Sequence, residues 1–255
     1  MNTLSMAQKG VCLLAVCLLA GCAPPVQVKD VLANQSGFLD ANFSPDNLPA
    51  SVHSTITQAD NRPLGFHQMV LRLDWTFNID DKAKTSHEDQ KLTLKSAGDG
   101  FAQMIIEDSR NGVPTLQQDS LTYRGLLPLR QQNFSMSASV GGFAYVMHDL
   151  KQFDAITPAA NTLRYAYTSG TSVQLMNFRD GSMSCTLGKP YPASQVFTSL
   201  EGEARKIDCT WYNSNGVVSG KRTFDYLEHY GVAVGTGSQL ASGISEAKIV
   251  SATIE

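Results

Sequence analysis

Residues 67–79 read HQMVLRLDWTFNI, and from Leu71 to Ile79 the residues alternate between apolar and polar. Successive side chains of a strand point to opposite faces, so alternation over nine residues indicates a strand with one buried face. Leu71, Leu73, Trp75 and Phe77 would share that face. This segment therefore predicts a half-buried β-strand and sets the period for the rest of the chain.

The same period recurs on both sides of short turn sequences. Leu92 and Leu94 alternate with polar residues before Gly98-Asp99-Gly100, and β-branched or apolar segments flank Asn213-Ser214-Asn215-Gly216. Such turns between alternating segments are hairpin signals. Two further turns are predicted at Gly141-Gly142 and Asp180-Gly181, and residues 247–254 predict a closing strand.

These segments add up to about ten to twelve antiparallel strands, which indicates an all-β fold rich in hairpins. One curved sheet, a sandwich and an open barrel all fit the pattern. The β-rich domain would span residues 64–255, and a break near 154–161, where Pro158 lies among small residues, would divide it into two lobes.

The first 22 residues have the organisation of a secretory signal. Lys9 precedes an apolar run over residues 11–20, and Leu19-Ala20-Gly21-Cys22 ends it. A bilayer-spanning helix needs about 20 apolar residues, so this run suits a signal peptide instead. The ending resembles the lipobox of bacterial lipoproteins.

That resemblance implies removal of residues 1–21 and acylation of Cys22, with several acyl chains giving stable membrane anchoring. Ala23 follows the cysteine, which in Gram-negative lipoproteins implies the outer membrane, and we expect the periplasmic face. Residues 22–63 contain five prolines and no sustained period. We expect them to form the anchor and an irregular, flexible tether, although part of them packing on the domain as an irregular arm fits equally well.

The remaining cysteines predict one disulfide. Cys12 and Cys17 lie in the removed segment and Cys22 would be acylated, which leaves Cys185 and Cys209. An even pair in an oxidising compartment indicates a disulfide between the two hairpins. A metal site is a weaker alternative because no CxxC spacing or neighbouring histidine supports it.

Composition and motifs exclude several functional classes. A net charge of −3 argues against a nucleic-acid partner. Nucleophile-elbow, phosphate-loop, zinc-protease and calcium-loop sequences are missing, so the sequence predicts no cofactor, no metal ion and no enzymatic activity. A second alternative is a hydrolase of envelope polymers. Its candidate acid–base residues would be His148-Asp149, His229, Glu201 and Glu203.

Aromatic residues form the strongest candidate binding surface. Trp211, Tyr212 and Tyr226 crowd one predicted hairpin, while Tyr165 and Tyr167 alternate on another strand. Such rings either pack in the core or form platforms for a sugar or protein partner. We therefore expect a lipoprotein whose β-domain binds an envelope protein or polysaccharide, and the alternative is a carrier of an apolar ligand in a sheet cavity.

Overall fold

The structure, a computed structural model, describes residues 25–78, 85–240 and 243–255. Within these ranges twelve antiparallel strands close into a barrel, in which each strand pairs with its neighbours in sequence and β1 pairs with β12. The strands are β1 Gln68–Asn78, β2 Thr85–Ser96, β3 Phe101–Arg110, β4 Val113–Tyr123, β5 Leu127–Ser135, β6 Tyr145–Phe153, β7 Thr162–Thr171, β8 Arg179–Pro192, β9 Glu203–Tyr212, β10 Val218–Leu227, β11 Val232–Leu240 and β12 Gly243–Ile254. The all-β expectation is confirmed, with a closed barrel as its form.

The predicted alternation places side chains as expected in β1. Met69, Leu71 and Leu73 are buried, while Arg72 between them is exposed. Ile79, the last residue of the predicted segment, lies outside the described residues. The period of two therefore identified both the strand and its buried face.

Two of the predicted hairpin turns are confirmed. Gly98, Asp99 and Gly100 all have positive φ and join β2 to β3. In the β9–β10 turn the side chain of Asn213 accepts hydrogen bonds from the backbone N–H groups of Asn215 and Val217, both at 3.0 Å. Such local side-chain bonds stabilise a turn against extended alternatives.

The turns predicted at Gly141-Gly142 and Asp180-Gly181 are wrong. Gly141 and Gly142 lie inside the longer β5–β6 connection, residues 136–144, and Asp180-Gly181 lies within β8, directly opposite Thr168 and Tyr167 of β7. The turn between β7 and β8 covers residues 172–178 instead. Gly181 serves packing, since a Cβ there would lie 2.8 Å from the Tyr167 ring.

The expectation of an irregular tether over residues 22–63 is wrong for much of its described part. Three helices form there, α1 Val28–Ala33, α2 Gln35–Asn42 and α3 Ala50–Ala59. Apolar side chains of α2, of α3 and of the residues between them enter the main core cluster with residues of the strands, and Phe43, Val52 and Ile56 are fully buried. The buried valines of α1 instead pack in a separate small cluster with Phe134. Burial of these few residues stabilises helices too short to persist alone.

A buried charge network, which we call the Asp60 network, ties the end of α3 to the barrel. The Asp60 carboxylate accepts hydrogen bonds from Tyr123 Oη at 2.6 Å and from Arg124 Nε at 2.7 Å, and it pairs with Arg62 Nε at 2.8 Å. Arg124 also donates to the carbonyl of Gly231 in the β10–β11 turn. Asp60 and Arg124 together therefore link three separate connections of the chain.

Residues 154–161 do not divide the barrel. They connect β6 to β7, which are paired neighbours in the same barrel. Ile156 of this connection is buried, and its backbone N–H donates to Tyr123 Oη at 3.0 Å. The proline and small residues there form a docked connection rather than a boundary.

Candidate functional site

The strand order gives the barrel two distinct ends. The β3–β4, β5–β6, β7–β8 and β9–β10 connections share one end, because each follows an odd-numbered strand of an up-and-down barrel. We call it the cleft end. The connections at residues 97–100, 124–126, 154–161, 193–202 and 228–231 lie at the other, the Asp60 end.

Two neighbouring clefts open at the cleft end. The larger, of about 430 Å³, lies between the ends of β6–β9, and the smaller, of about 200 Å³, lies beside it towards β5. Tyr145, Tyr167 and Ser169 line both, so the two clefts share a wall, and we treat them as one site. We call it the aromatic cleft.

Three of the five predicted aromatic residues line this cleft. Tyr167 and Tyr212 line the larger part, and Trp211 lines the smaller part. The other two, Tyr165 and Tyr226, do not contribute to a surface, because both are buried in the main core cluster. Tyr165 faces inward because the one-residue alternation of β7 places it with Leu163 in the core.

The sequence reasoning missed two side chains that complete the cleft. Tyr145, 45% exposed, begins β6 and receives a hydrogen bond from Ser169 Oγ at 3.3 Å. Arg179, at the start of β8, lines the larger part. Both follow connections whose turns the sequence pattern misplaced, so their position near Tyr212 could not be read from spacing.

Polar groups flank the aromatic rings. Asp180 Oδ1 accepts hydrogen bonds from Lys151 Nζ at 2.7 Å and Thr168 Oγ1 at 2.9 Å, and the bond from Lys151 lowers the pKa of Asp180. The guanidinium of Arg222 lies 5.9 Å from the centre of the Trp211 ring, within cation–π range. A cleft lined by rings and a few fixed charges is typical of a site for a polar ligand with apolar faces.

The predicted disulfide is confirmed, and it lies two residues from Trp211 along β9. Cys185 and Cys209 face each other across β8 and β9 and are bonded, with their Cα atoms 4.0 Å apart. Two residues from the cysteines, towards the cleft end, Met183 of β8 and Trp211 of β9 are again opposite each other. The bond therefore fixes the register between β9, which presents Trp211 and Tyr212, and β8, which presents Arg179 and Asp180.

Of the candidate acid–base residues, His229 and Glu201 lie close together, while His148 lies at the opposite end of the barrel. His148 stacks on Phe178 with ring centres 4.0 Å apart, while His229 Nε2 lies 3.9 Å from Glu201 Oε2 at the exposed surface of the Asp60 end. Glu203 lies opposite Pro192 in the β8–β9 pair. In the part of the chain that the structure covers, no group of three or more His, Cys, Asp or Glu side chains could hold a metal ion.

Cys22, the predicted acylation site, lies outside the described residues. The helices of the described ranges include none with the length and apolar composition to cross a bilayer.

No protein-family model matches this chain, and neither does any curated protein. Among solved structures, the chain is similar to a beta-barrel-like protein of the domain of unknown function DUF1849 from Brucella abortus, with a TM-score of 0.45 and 11% identity over 74% of this chain and 98% of that one. It is also similar to a DUF1329 family protein from Desulfovibrio piger, with a TM-score of 0.39 and 9% identity over 79% of this chain and 90% of that one.

Proposed function

We propose that this chain is an outer-membrane lipoprotein, anchored through Cys22, whose aromatic cleft binds a saccharide segment of an envelope polymer. The observation that carries the proposal is that four aromatic side chains line two adjoining clefts, with Tyr145 and Tyr167 shared, Tyr212 in the larger cleft and Trp211 in the smaller. Sugar rings have apolar faces that stack on aromatic side chains and hydroxyl edges that hydrogen-bond to polar ones.

The size and the lining of the cleft favour a saccharide over a protein partner. A stable protein interface buries roughly 800 Å² on each partner and needs a broad surface. The cleft is a local groove of about 430 Å³ with an adjoining 200 Å³, which suits a few linked sugar rings. Asp180 and Arg179 beside the rings offer an acceptor and a donor for hydroxyl groups.

The structure gives less support to a carrier of an apolar ligand. Such a carrier needs an enclosed apolar cavity. The main core cluster is instead occupied by side chains of α2 and α3 together with those of the strands. The aromatic cleft itself opens to solvent and is lined by polar as well as apolar atoms.

Tryptophan fluorescence tests the proposal, since the chain has only two tryptophans, Trp75 and Trp211. In a Trp75→Phe background Trp211 reports on the cleft. Titration with soluble peptidoglycan and lipopolysaccharide-core oligosaccharides should change its emission for one class, and Tyr212→Ala should weaken that binding at least tenfold.

The matched control is Phe77→Ala, which removes a partly exposed aromatic side chain from β1, away from the cleft. This variant should bind like its parent. Unchanged Trp211 emission with every oligosaccharide, or equal losses in the Tyr212→Ala and Phe77→Ala variants, would contradict saccharide binding at the cleft.

A further inference from the structure

The two ends of the barrel differ in the side chains that they expose. Of the large apolar side chains that are exposed in the described residues, all but Leu32 and Val250 lie in or beside connections at the cleft end. They are Val113, Val140, Phe143, Tyr145, Val173, Leu175, Met176, Val217, Val218, Leu240 and Ile244. A soluble surface rarely concentrates apolar side chains in this way without a partner.

The most exposed of these side chains are held outward by a built loop. Leu175 and Met176, at 88% and 69% exposed, lie in the β7–β8 connection. Gln174 closes this loop, because its Nε2 donates to the carbonyls of Met176 and Asn177 at 2.8 and 2.7 Å and its Oε1 accepts from the N–H of Thr171. The exposure of Leu175 and Met176 therefore results from the hydrogen-bonded conformation of the loop.

Phe143 extends the same surface. Its side chain is 59% exposed in the β5–β6 connection, and the N–H of Ser172 donates to the carbonyl of Ala144 at 2.7 Å, which joins the two connections. We call the surface formed by Phe143, Val173, Leu175 and Met176 the apolar rim.

The N-terminal segment enters the structure at this same end. Gln27 forms a β-bridge with Val140, and the N–H of Val28 donates to the carbonyl of Ser139 at 3.0 Å. Val28 and Val31 are buried against Phe134, which fixes the segment there. The chain is thus attached to the β5–β6 connection that also carries Phe143.

The distance along the chain from this attachment to Cys22 is short. Four residues separate Cys22 from Gln27 in the sequence, and the five Cα-to-Cα steps between them reach about 17 Å in a fully extended chain. An acylated Cys22 lies at the surface of the bilayer, so the β5–β6 connection would be held within that distance of the lipid. Such a tether cannot hold the Asp60 end against the membrane while the cleft end faces away.

We propose that the apolar rim inserts into the interfacial region of the bilayer that anchors the chain. The cleft end then faces the membrane, and the aromatic cleft beside the rim receives its saccharide segment at the headgroup surface. This inference rests on the proposed anchor at Cys22. Lipid is the occupant of the rim because the short tether keeps this end close to the bilayer. Burial of apolar side chains at the headgroup–acyl boundary also lowers the free energy.

Depth-dependent quenching tests the orientation. The full-length lipoprotein, purified from membranes and checked by intact mass for acylation of Cys22, is labelled with a fluorophore at Leu175→Cys and reconstituted into phosphatidylethanolamine–phosphatidylglycerol vesicles. Brominated acyl chains should quench this probe by at least half. The matched control is Asp99→Cys in the exposed β2–β3 turn of the Asp60 end, which should remain unquenched.

The outcomes separate this inference from the anchor. An acylated protein whose Leu175 and Asp99 probes are equally unquenched overturns the inference and leaves the anchor in place. A probe at Leu175 that is shielded in native envelopes but unquenched in vesicles means that a protein covers the rim, which also overturns it. A mature protein without acyl chains overturns the anchor itself.

A second label guards against a local effect of the first. Phe143→Cys lies in a different connection of the same rim. It should be quenched to a similar extent as Leu175→Cys, and quenching at only one of the two positions would contradict a rim that inserts as a unit.

Discussion

Asp119 is a carboxylate buried in the core of the protein. It is fully buried in β4, where its Oδ1 accepts a hydrogen bond from Gln117 Nε2 at 2.8 Å and its Oδ2 has no partner among the described residues. Burial raises the pKa of Asp119 to about 6, and the nearby charge of Glu107 adds to the shift. Because an unfolded aspartate has a pKa of about 3.9, the fold favours the protonated acid.

This shift predicts a pH dependence of stability. The contribution of Asp119 is greatest below about pH 4 and is lost as the pH rises to about 6, for a total of at most about 3 kcal/mol. Asp119→Asn removes the buried charge, so it should raise the free energy of unfolding by about 1–3 kcal/mol at pH 8 and change it little at pH 4. Urea denaturation at both pH values measures this difference.

An exposed aspartate provides the comparison for Asp119. Asp149 lies on the exposed face of β6, and Asp149→Asn should change stability by less than about 0.5 kcal/mol at either pH. A gain in the Asp119→Asn variant that is the same at pH 4 and pH 8 would contradict the assignment of the effect to ionisation.

At the scale of elements, the Asp60 network joins α3, the β4–β5 turn and the β10–β11 turn. Burial alone would raise the pKa of Asp60, but hydrogen bonds from Arg62, Arg124 and Tyr123 outweigh it and hold the pKa well below its usual range. Arg124 is 1% exposed and adopts a positive φ, so its conformation is held by these partners.

Asp60→Asn should destabilise the protein by about 3–5 kcal/mol at pH 7, because it leaves the Arg124 guanidinium buried without a counter-ion. The matched control is Asp40→Asn, which breaks an exposed ion pair with Lys95 at 2.7 Å and should cost at most about 1 kcal/mol. Equal losses in the two variants, measured by urea denaturation, would show that the network contributes no more than a surface pair.

The elements also show what sequence reasoning can and cannot recover. Alternation in β1 and the turn residues around Asp99 and Asn213 are local signals, and they located strands and hairpins correctly. The helices were missed because α2 and α3 are short and separated by Pro45 and Pro49. Each shows only one buried apolar pair a turn apart, Leu39 with Phe43 at α2 and Val52 with Ile56 in α3.

Barrel closure and strand register could not be predicted from local sequence patterns, because both depend on residues far apart in the chain. Closure depends on pairing β1 with β12 across almost the whole domain, and bulges such as the one between Met147 and Asp149 shift the register. The cleft depends on the same registers, because Tyr145 of β6 and Tyr212 of β9 line it together only when β6, β7, β8 and β9 pair as observed. Trp211, Tyr212 and Tyr167 were identified by their chemistry, whereas the burial of Tyr165 and Tyr226 required the fold.

At the scale of the whole molecule, the helices and the barrel share one core. Ile56 of α3 is fully buried in the same cluster as Tyr123, Ile207 and the disulfide cysteines, and His53 stacks on Phe101 of β3 with ring centres 5.4 Å apart. Shared burial makes the two parts depend on each other for stability, so we expect them to unfold together.

Ile56→Ala tests this coupling. Truncating a fully buried isoleucine should cost about 2–5 kcal/mol, and because the core is shared, the loss should appear at full size in the urea transition of Trp75 and Trp211, both of which are in strands. Gln58→Ala, on the exposed side of α3, is the matched control and should leave the midpoint unchanged. Should α3 instead be a helix docked on a barrel that is stable without it, the tryptophan transition of Ile56→Ala would coincide with that of the parent. The helical N-terminal part of the chain would then be independent of the fold that presents the cleft.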